Sequence, residues 1–529
     1  MCPDNLSYGC SELAQAVRQA YAAGQTDYAI EPLIHCNKDG DPIGRIHDGD
    51  AVIFCLRRGE REIQLTEAFV EPEIGGFPRV EFNHLPFIIL TLYHEKFKDL
   101  PVAFAPSKIK ATLGETVSRA KLRQLHVSES EKFAHITFFL NGGNNQPFEG
   151  ETDIRIPSPR GIPPEQNPQL SLPQVSQEVL RAIHSKYDFI AVNFANGDVV
   201  GHTQSSSAKI SCAEAIDRHM GEVVAAALSA DYAVLVTADH GNLEEMVNPD
   251  GTPNVSHSTN PVPFLIFLPE NNMPLLLHHG KLADVAPTVL SILGLPQPEV
   301  MSGRCLIPAG LQAHAQRLLL VILDGWGIGA EAETNPIFLA QTPNWDRYLE
   351  RYPHTQLSAA GEAVGLKNGK NGNSEAGHMN IGAGRVILQD DVRLDQAMQD
   401  GSFSRNEIFL QAIEGVKSRN SNLHLIGLLS EKSSHGSIDY PLALLRMAKE
   451  HNLKNVYLHI IFDGRSTAPG SAPLLLSKME CNMADLGIGQ VVTGMGRGIA
   501  LDRDGNYQKT RLAYEALVHG FGQKYRSVY

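Results

Sequence analysis

Eight continuous apolar runs alternate with helical patterns along the chain, and this alternation constrains the fold more than any other feature. The runs are AVIFCL (51–56), FIILTLY (87–93), ITFFL (136–140), FIAVNFA (189–195), AVLVTA (233–238), PFLIFL (263–268), LLLVIL (318–323) and VYLHIIF (456–462). A strand that is apolar at every position is buried on both faces, the condition of parallel sheets covered by helices. Between the runs, Ile216, Met220, Val223, Val224, Ala227 and Leu228 recur at helical spacing, as do Val285, Val289, Ile292 and Leu293. The expected class is α/β.

A chain of 529 residues exceeds one core and predicts two or three domains. Hydrophobic residues at 43% and charged residues at 20% exclude disordered, collagenous and coiled-coil classes. Lys plus Arg 45 against Asp plus Glu 59 leaves a net charge of -14, which argues against nucleic acid or an anionic membrane as partner. The apolar runs stop short of the roughly 20 residues that span a bilayer. No basic-then-apolar leader opens the chain, and seven scattered cysteines include no CxxC pair, so a cytoplasmic location is expected. SPRGIPPEQNP (158–168) reads as a loop and IPAGLQAHAQR (307–317) as a tether. The segment 361–385 is dense in glycine, as a loop that approaches a ligand closely requires.

The sharpest local signal is Asp239-His240, directly after the run AVLV. Acid and imidazole emerge together at the carboxyl end of a strand, where α/β sheets bind ligands. FIAVNFANGD ends in Asp198, and His202 follows four residues on, sharing a helical face if the chain turns helical there. LLLVILDG ends in Asp324, and His257 precedes PFLIFL. Asp and His without cysteine suit two divalent ions, manganese, magnesium or zinc. Ser374, at the end of the glycine-rich loop, is either a helix N-cap or a nucleophile activated by metal. Arginines follow strands in three segments: Arg57, Arg58 and Arg61; Arg465; and Arg497 with Arg503. They read as solvated charges or as forks for carboxylate and phosphate.

Together LVILDGWG, NGNSEAGHMNIGAGR, ADHGN, NFANGDVVGHT and SHSTNPVPF resemble the cofactor-independent phosphoglycerate mutases of the alkaline-phosphatase superfamily. The resemblance implies an alkaline-phosphatase-like parallel-sheet domain and a smaller α/β phosphotransferase domain. It implies one metal on Asp198, His202 and His257 and a second on Asp324, Ser374, Asp239 and His240, with Ser374 as the phosphorylated nucleophile. Manganese is the first choice of metal, with magnesium, zinc or cobalt as alternatives, and no bisphosphoglycerate is needed. Arg58, Arg61, Lys132 (in SEKFAH), His435, Arg465, Arg497 and Arg503 match its substrate-binding positions. The implied activity is interconversion of 3-phosphoglycerate and 2-phosphoglycerate by a cytoplasmic monomer.

The motifs stand in a different order, with the LVILDGWG block after SHSTNPVPF, so the chain resembles a circular permutant joined through IPAGLQAHAQR. The phosphatase-like domain is then contiguous over about 107–388, flanked by the second part of the phosphotransferase domain (1–106) and its first part (389–529). Permutation at exposed loops leaves a fold unchanged when the natural termini lie close together. On the substrate side, the family's DGRD reads DGRS here, with Ser466 in place of the acid, and SEKSSHGS (430–437) replaces SDGGVHSH. Serine cannot carry a proton alone near neutral pH, which predicts weak mutase activity with raised hydrolysis, unless Glu431 or another group substitutes. A related phosphatase or phosphotransferase with an altered acceptor, or a metal-binding pseudoenzyme, are the alternatives.

Overall fold

The computed structural model describes residues 12–57, 59–72, 74, 76–106, 109–269, 277–308, 315–431 and 433–526. Its contacts divide the chain into two units, Ser107–Val392 and the combined ends Met1–Pro106 with Arg393–Tyr529.

In the middle unit, five apolar or mixed segments form parallel neighbours. Their order is Ala233–Thr237, Leu318–Leu323, Phe189–Phe194, Gln124–Glu129 and Glu151–Ile156, the last at the sheet edge. Every residue of Leu318–Leu323 is buried, as the unbroken apolar pattern requires. The register pairs Leu323 with Phe194 and Ile322 with Thr237, so three strands end at one level. Helix Ser206–Ser229 buries Ile216, Met220, Val223, Val224 and Ala227, and Ser205 caps it by accepting from Ala208 N. Truncating a core side chain such as Leu320 to alanine costs about 2–5 kcal/mol through lost burial and the cavity left behind.

Two expectations need correction in this unit. Val262–Phe267 runs antiparallel to Ala233–Thr237, so the sheet is mixed, although that strand is as buried as its neighbours. ITFFL is not a strand: His135–Phe139 forms a π-helical turn after the strand Gln124–Glu129. Five apolar residues are too few for periodicity to separate strand from helix.

The other unit is one eight-stranded sheet woven from both ends of the chain. Ala51–Cys55 pairs in parallel with Leu423–Leu429, which pairs with Val456–Phe462, which pairs with Gln490–Gly496. Leu33–Cys36 joins antiparallel to Gln490–Gly496 and parallel to Gln523–Arg526. A buried polar chain crosses this sheet: Asp50 Oδ2 lies 3.0 Å from His424 Nε2, His424 Nδ1 3.0 Å from His459 Nε2, and His459 Nδ1 2.9 Å from Thr493 Oγ1. A single tautomer satisfies every link, with both imidazoles protonated on Nε2, His424 donating to Asp50 and Thr493 donating to His459. No described helix is long and apolar enough to cross a membrane.

Candidate metal and phosphoryl-transfer site

The level strand ends of the Ser107–Val392 unit bring four sequence-distant segments together. Asp324 follows Leu318–Leu323, Asp239 and His240 follow Ala233–Thr237, and Asp198 lies in the helix Asn196–Gly201, whose C-cap is His202. Gly325 permits this crowding: its φ is +77°, and a Cβ there would stand 2.7 Å from Asp198 N. Ser374 opens the ten-residue helix Ser374–Ala383 and is buried. Asn373, not Ser374, is the N-cap, its side chain accepting from Ala376 N. The Ser374 hydroxyl is therefore not spent on capping, and it stands at the helix end that favours anions. Gly377 packs the helix against Asp239, where a Cβ would lie 2.5 Å from the Asp239 carbonyl oxygen.

Seven residues expected as ligands converge. His257 Nε2 lies 3.0 Å and His202 Nε2 3.2 Å from Asp198 Oδ1, and the two imidazole nitrogens are 3.2 Å apart. His202 Nδ1 sits 2.7 Å from the Val255 carbonyl and His257 Nδ1 2.8 Å from the Gly372 carbonyl. Donation through Nδ1 turns both Nε2 lone pairs inward. Three acceptors at this spacing match the edges, about 3.3 Å, of a tetrahedron whose ligands lie about 2 Å from one ion. His240 Nε2 is 3.5 Å from both Asp239 Oδ2 and Asp324 Oδ1, and 2.9 Å from Ser374 Oγ. Asp239 Oδ2 is buried, and its ion-pair contacts are with His240 and His378.

Lys132 completes the cluster, its Nζ donating to Ser374 Oγ at 2.6 Å, Asp198 Oδ2 at 2.7 Å and Asp324 Oδ1 at 2.8 Å. Burial opposes ionisation of all three carboxylates. Lys132 with His202 and His257 outweighs it at Asp198, and His240 with His378 outweighs it at Asp239, so both lie below the ordinary carboxylate range. At Asp324 burial and the neighbouring Asp239 charge prevail and raise the carboxyl. One ammonium cannot balance three buried carboxylates, so the donor set fits divalent cations.

Sequence reasoning missed three supporting residues. Asn193 Nδ2 donates to Asp324 Oδ2 at 2.7 Å, Asn242 Nδ2 donates to Asp198 Oδ1 at 2.9 Å, and His378 Nδ1 lies 3.2 Å from Asp239 Oδ2. His378 stands four residues after Ser374, on the same helix face, a spacing readable from sequence.

The remaining expected residues belong to the other unit, except Arg58, which lies outside the described residues. Arg61 is buried and donates from Nη1 to the Leu501 carbonyl at 3.0 Å, and Arg497 is buried in an ion pair with Asp463. Arg465, Arg503 and Ser466 are exposed. His435 is buried, with Nδ1 3.0 Å from Glu62 Oε1. Burial raises the Glu62 carboxyl, opposed by His435. The Ser433 hydroxyl accepts from His435 N at 3.3 Å and from Ser466 Oγ at 3.4 Å, linking Ser466 to His435. Arg57 anchors this loop through the Ser433 and Ser434 carbonyls at 2.9 and 3.1 Å. Glu431 is half exposed and pairs with Lys478 at 3.2 Å.

A family model described as "Metalloenzyme superfamily" matches residues 9–297, and one described as "BPG-independent PGAM N-terminus (iPGM_N)" matches residues 394–528. Proteins named 2,3-bisphosphoglycerate-independent phosphoglycerate mutase are 42% identical over 301 residues in Moorella thermoacetica and 43% over 298 residues in Desulforudis audaxviator. The Methanosarcina acetivorans protein of that name numbered 2 is 41% identical over 302 residues. These matches cover 57%, 56% and 57% of this chain and 58%, 58% and 57% of the relatives' lengths, respectively. A crystal structure of Leishmania mexicana phosphoglycerate mutase at low cobalt concentration is 28% identical, with a TM-score of 0.40, covering 51% of this chain and 53% of that one.

Proposed function

The chain belongs to the metalloenzyme superfamily, and from that premise we propose that it interconverts 3-phosphoglycerate and 2-phosphoglycerate through a phosphoserine at Ser374. The observation that carries this reading is the surroundings of the Ser374 hydroxyl, with Lys132 Nζ at 2.6 Å, His240 Nε2 at 2.9 Å and Asp324 Oδ1 at 3.3 Å. The relatives' names supply the substrate. Asp198, His202 and His257 would hold one divalent ion, and Asp239, His240, Asp324 and Ser374 another, with manganese the first choice. Such ions supply Lewis acidity, lowering the serine pKa and neutralising phosphoryl oxygens.

Ser374 Oγ attacks phosphorus, forming the Oγ–P bond as the glycerate O–P bond breaks. The serine proton leaves to the site's bases, and the departing glycerate oxygen takes up a proton. Lys132 donates to the oxygen that gains charge, holding it against the phosphoryl group. The second half reverses these events at the other glycerate hydroxyl. Arg58, Arg61, Arg465, Arg497, Arg503 and His435 form the proposed glycerate-binding set. Within it, His435 carries the hydroxyl proton in place of the acid absent at Ser466. Glu62 accepts from Nδ1 and leaves Nε2 as the base, as carboxylates orient catalytic imidazoles elsewhere.

Circular permutation is part of the proposal, supported by an N-terminal family model that matches the C-terminal part of this chain. A cytoplasmic location is proposed as well, supported by Cys55, Cys212 and Cys305, which are free thiols.

Ser466 favours one second reading, in which the phosphoserine is hydrolysed because the acceptor hydroxyl is poorly activated. Purified protein with manganese and 3-phosphoglycerate, followed for both 2-phosphoglycerate and inorganic phosphate, separates the two. Conversion that exceeds phosphate release and disappears with chelator is expected. Phosphate as the main product supports hydrolysis, and conversion that survives chelator overturns the metal-dependent reading.

A further inference from the structure

The Ser107–Val392 unit holds a second cluster of ligating side chains that shares no residue with the site around Ser374. His126 lies in the strand Gln124–Glu129 and pairs in register with Asp153 of the edge strand Glu151–Ile156. Glu151, two residues before Asp153, projects from the same face of the sheet. The ligand atoms of His126, Glu151 and Asp153 all fall within 4.8 Å of one another.

The imidazole is the anomaly. His126 is fully buried, yet neither Nδ1 nor Nε2 has a hydrogen-bond partner. A buried imidazole usually satisfies at least one nitrogen, and leaving both unpaired is costly. Its Nδ1 is aimed at Glu151 Oε1, 3.3 Å away. That carboxylate is already engaged, with Asn141 Nδ2 donating to Oε1 at 2.6 Å and Phe148 N donating to Oε2 at 3.1 Å. Asp153 Oδ1 is likewise buried and unpartnered, as is Oδ1 of Asn141, whose amide nitrogen holds Glu151.

The unpartnered ring nitrogens of His126 and Oδ1 of Asp153, gathered with Glu151, call for a cation. The Nδ1-to-Oε1 distance equals the edge, about 3.3 Å, of a tetrahedron with metal–ligand bonds of about 2.0–2.1 Å. Charge balances as well, because a neutral imidazole and two carboxylates around a divalent ion sum to zero, the condition for burial without a solvation penalty. One nitrogen and two hard oxygens fit zinc better than magnesium or calcium, which prefer all-oxygen cages. We propose that His126, Glu151 and Asp153 bind a zinc-type divalent cation that ties the edge strand Glu151–Ile156 to its neighbour. The role is structural, because the ligands join two neighbouring strands.

The full-length protein, stripped with chelator, equilibrated with zinc and desalted, is the material for the test. Inductively coupled plasma mass spectrometry should count one more zinc equivalent in wild type than in His126→Gln or Asp153→Asn, whatever number is held around Ser374. Asp153→Asn preserves size and the strand hydrogen bonds, which covers the case in which His126→Gln misfolds. In wild type, zinc should also slow amide exchange along 151–156. Equal zinc content in wild type and a folded variant, or exchange along 151–156 that ignores zinc, overturns the proposal. The readouts count metal and strand opening, so their failure leaves the phosphoserine reading of Ser374 intact.

Discussion

Lys132 Nζ donates a 2.6 Å hydrogen bond to Ser374 Oγ across 242 residues of sequence, while bridging Asp198 and Asp324. The proposed nucleophile thus sits beside a fixed positive charge as well as a set of candidate metal ligands. Removing an oriented donor of this kind typically costs about 10²- to 10³-fold in kcat. Lys132→Met should show a loss of that size with a smaller change in KM. Its affinity for manganese should hold or rise, because a cation has left the carboxylate cluster. Titration with manganese beside steady-state kinetics checks this. Loss of turnover and metal together would reduce Lys132 to a brace for the carboxylates.

Glu62 and His435 are expected to set the proton chemistry at the glycerate hydroxyls. Glu62→Gln should lower mutase kcat by about tenfold or more, within the range of general acid–base contributions. It should also move the pH profile, whereas KM changes less. Ser466→Asp should leave the ratio of transfer to hydrolysis unchanged. If Ser466→Asp instead raises transfer and suppresses phosphate release, the missing acid is limiting and His435 is not the proton carrier.

Stability of the unit built from the two chain ends should depend on pH through His424 and His459. Burial lowers His424 despite its bond to Asp50, and burial with the neighbouring His424 lowers His459 well below 6.5. Both stay neutral in the native sheet while the unfolded chain takes up protons below about 6.5. The unfolded state therefore binds more protons, and stability falls as pH drops below that value, by at most about 1.4 kcal/mol per pH unit for each histidine. Denaturant midpoints between pH 7.5 and 5.5, followed by amide exchange in Leu423–Leu429, should show this decline in wild type. His459→Gln, which cannot titrate, should flatten it, and an equally steep decline in that variant would assign the effect to other groups.

The sheets and the clustering of the expected ligand residues are legible in the sequence because both follow from strand ends. Unbroken apolar runs mark the buried strands, and Asp or His immediately after them has one place to go. ITFFL reads as a strand because a short apolar run has no period, and Gln124–Glu129 gives no strand signal because His126 and Ser128 interrupt its apolar pattern. The antiparallel direction of Val262–Phe267 leaves no mark on composition. Lys132 carried a signal only through family resemblance, since nothing local distinguishes a lysine that will be buried among carboxylates. Glu62 has no local signal, because its partner His435 lies 373 residues away, in a loop supplied by the other end of the chain.

Rapid quenching measures directly whether the phosphoryl group passes through Ser374. Protein loaded with manganese and mixed with 3-phosphoglycerate should, on acid quench and peptide mass spectrometry, carry one phosphate on Ser374. That phosphate should appear no later than the first turnover and decay as substrate is exhausted. Ser374→Ala should bind manganese, because the other ligands remain, yet neither label nor turn over. Conversion of 3-phosphoglycerate to 2-phosphoglycerate with no phosphate on Ser374 at any quench time, or by Ser374→Ala at the wild-type rate, would contradict the account.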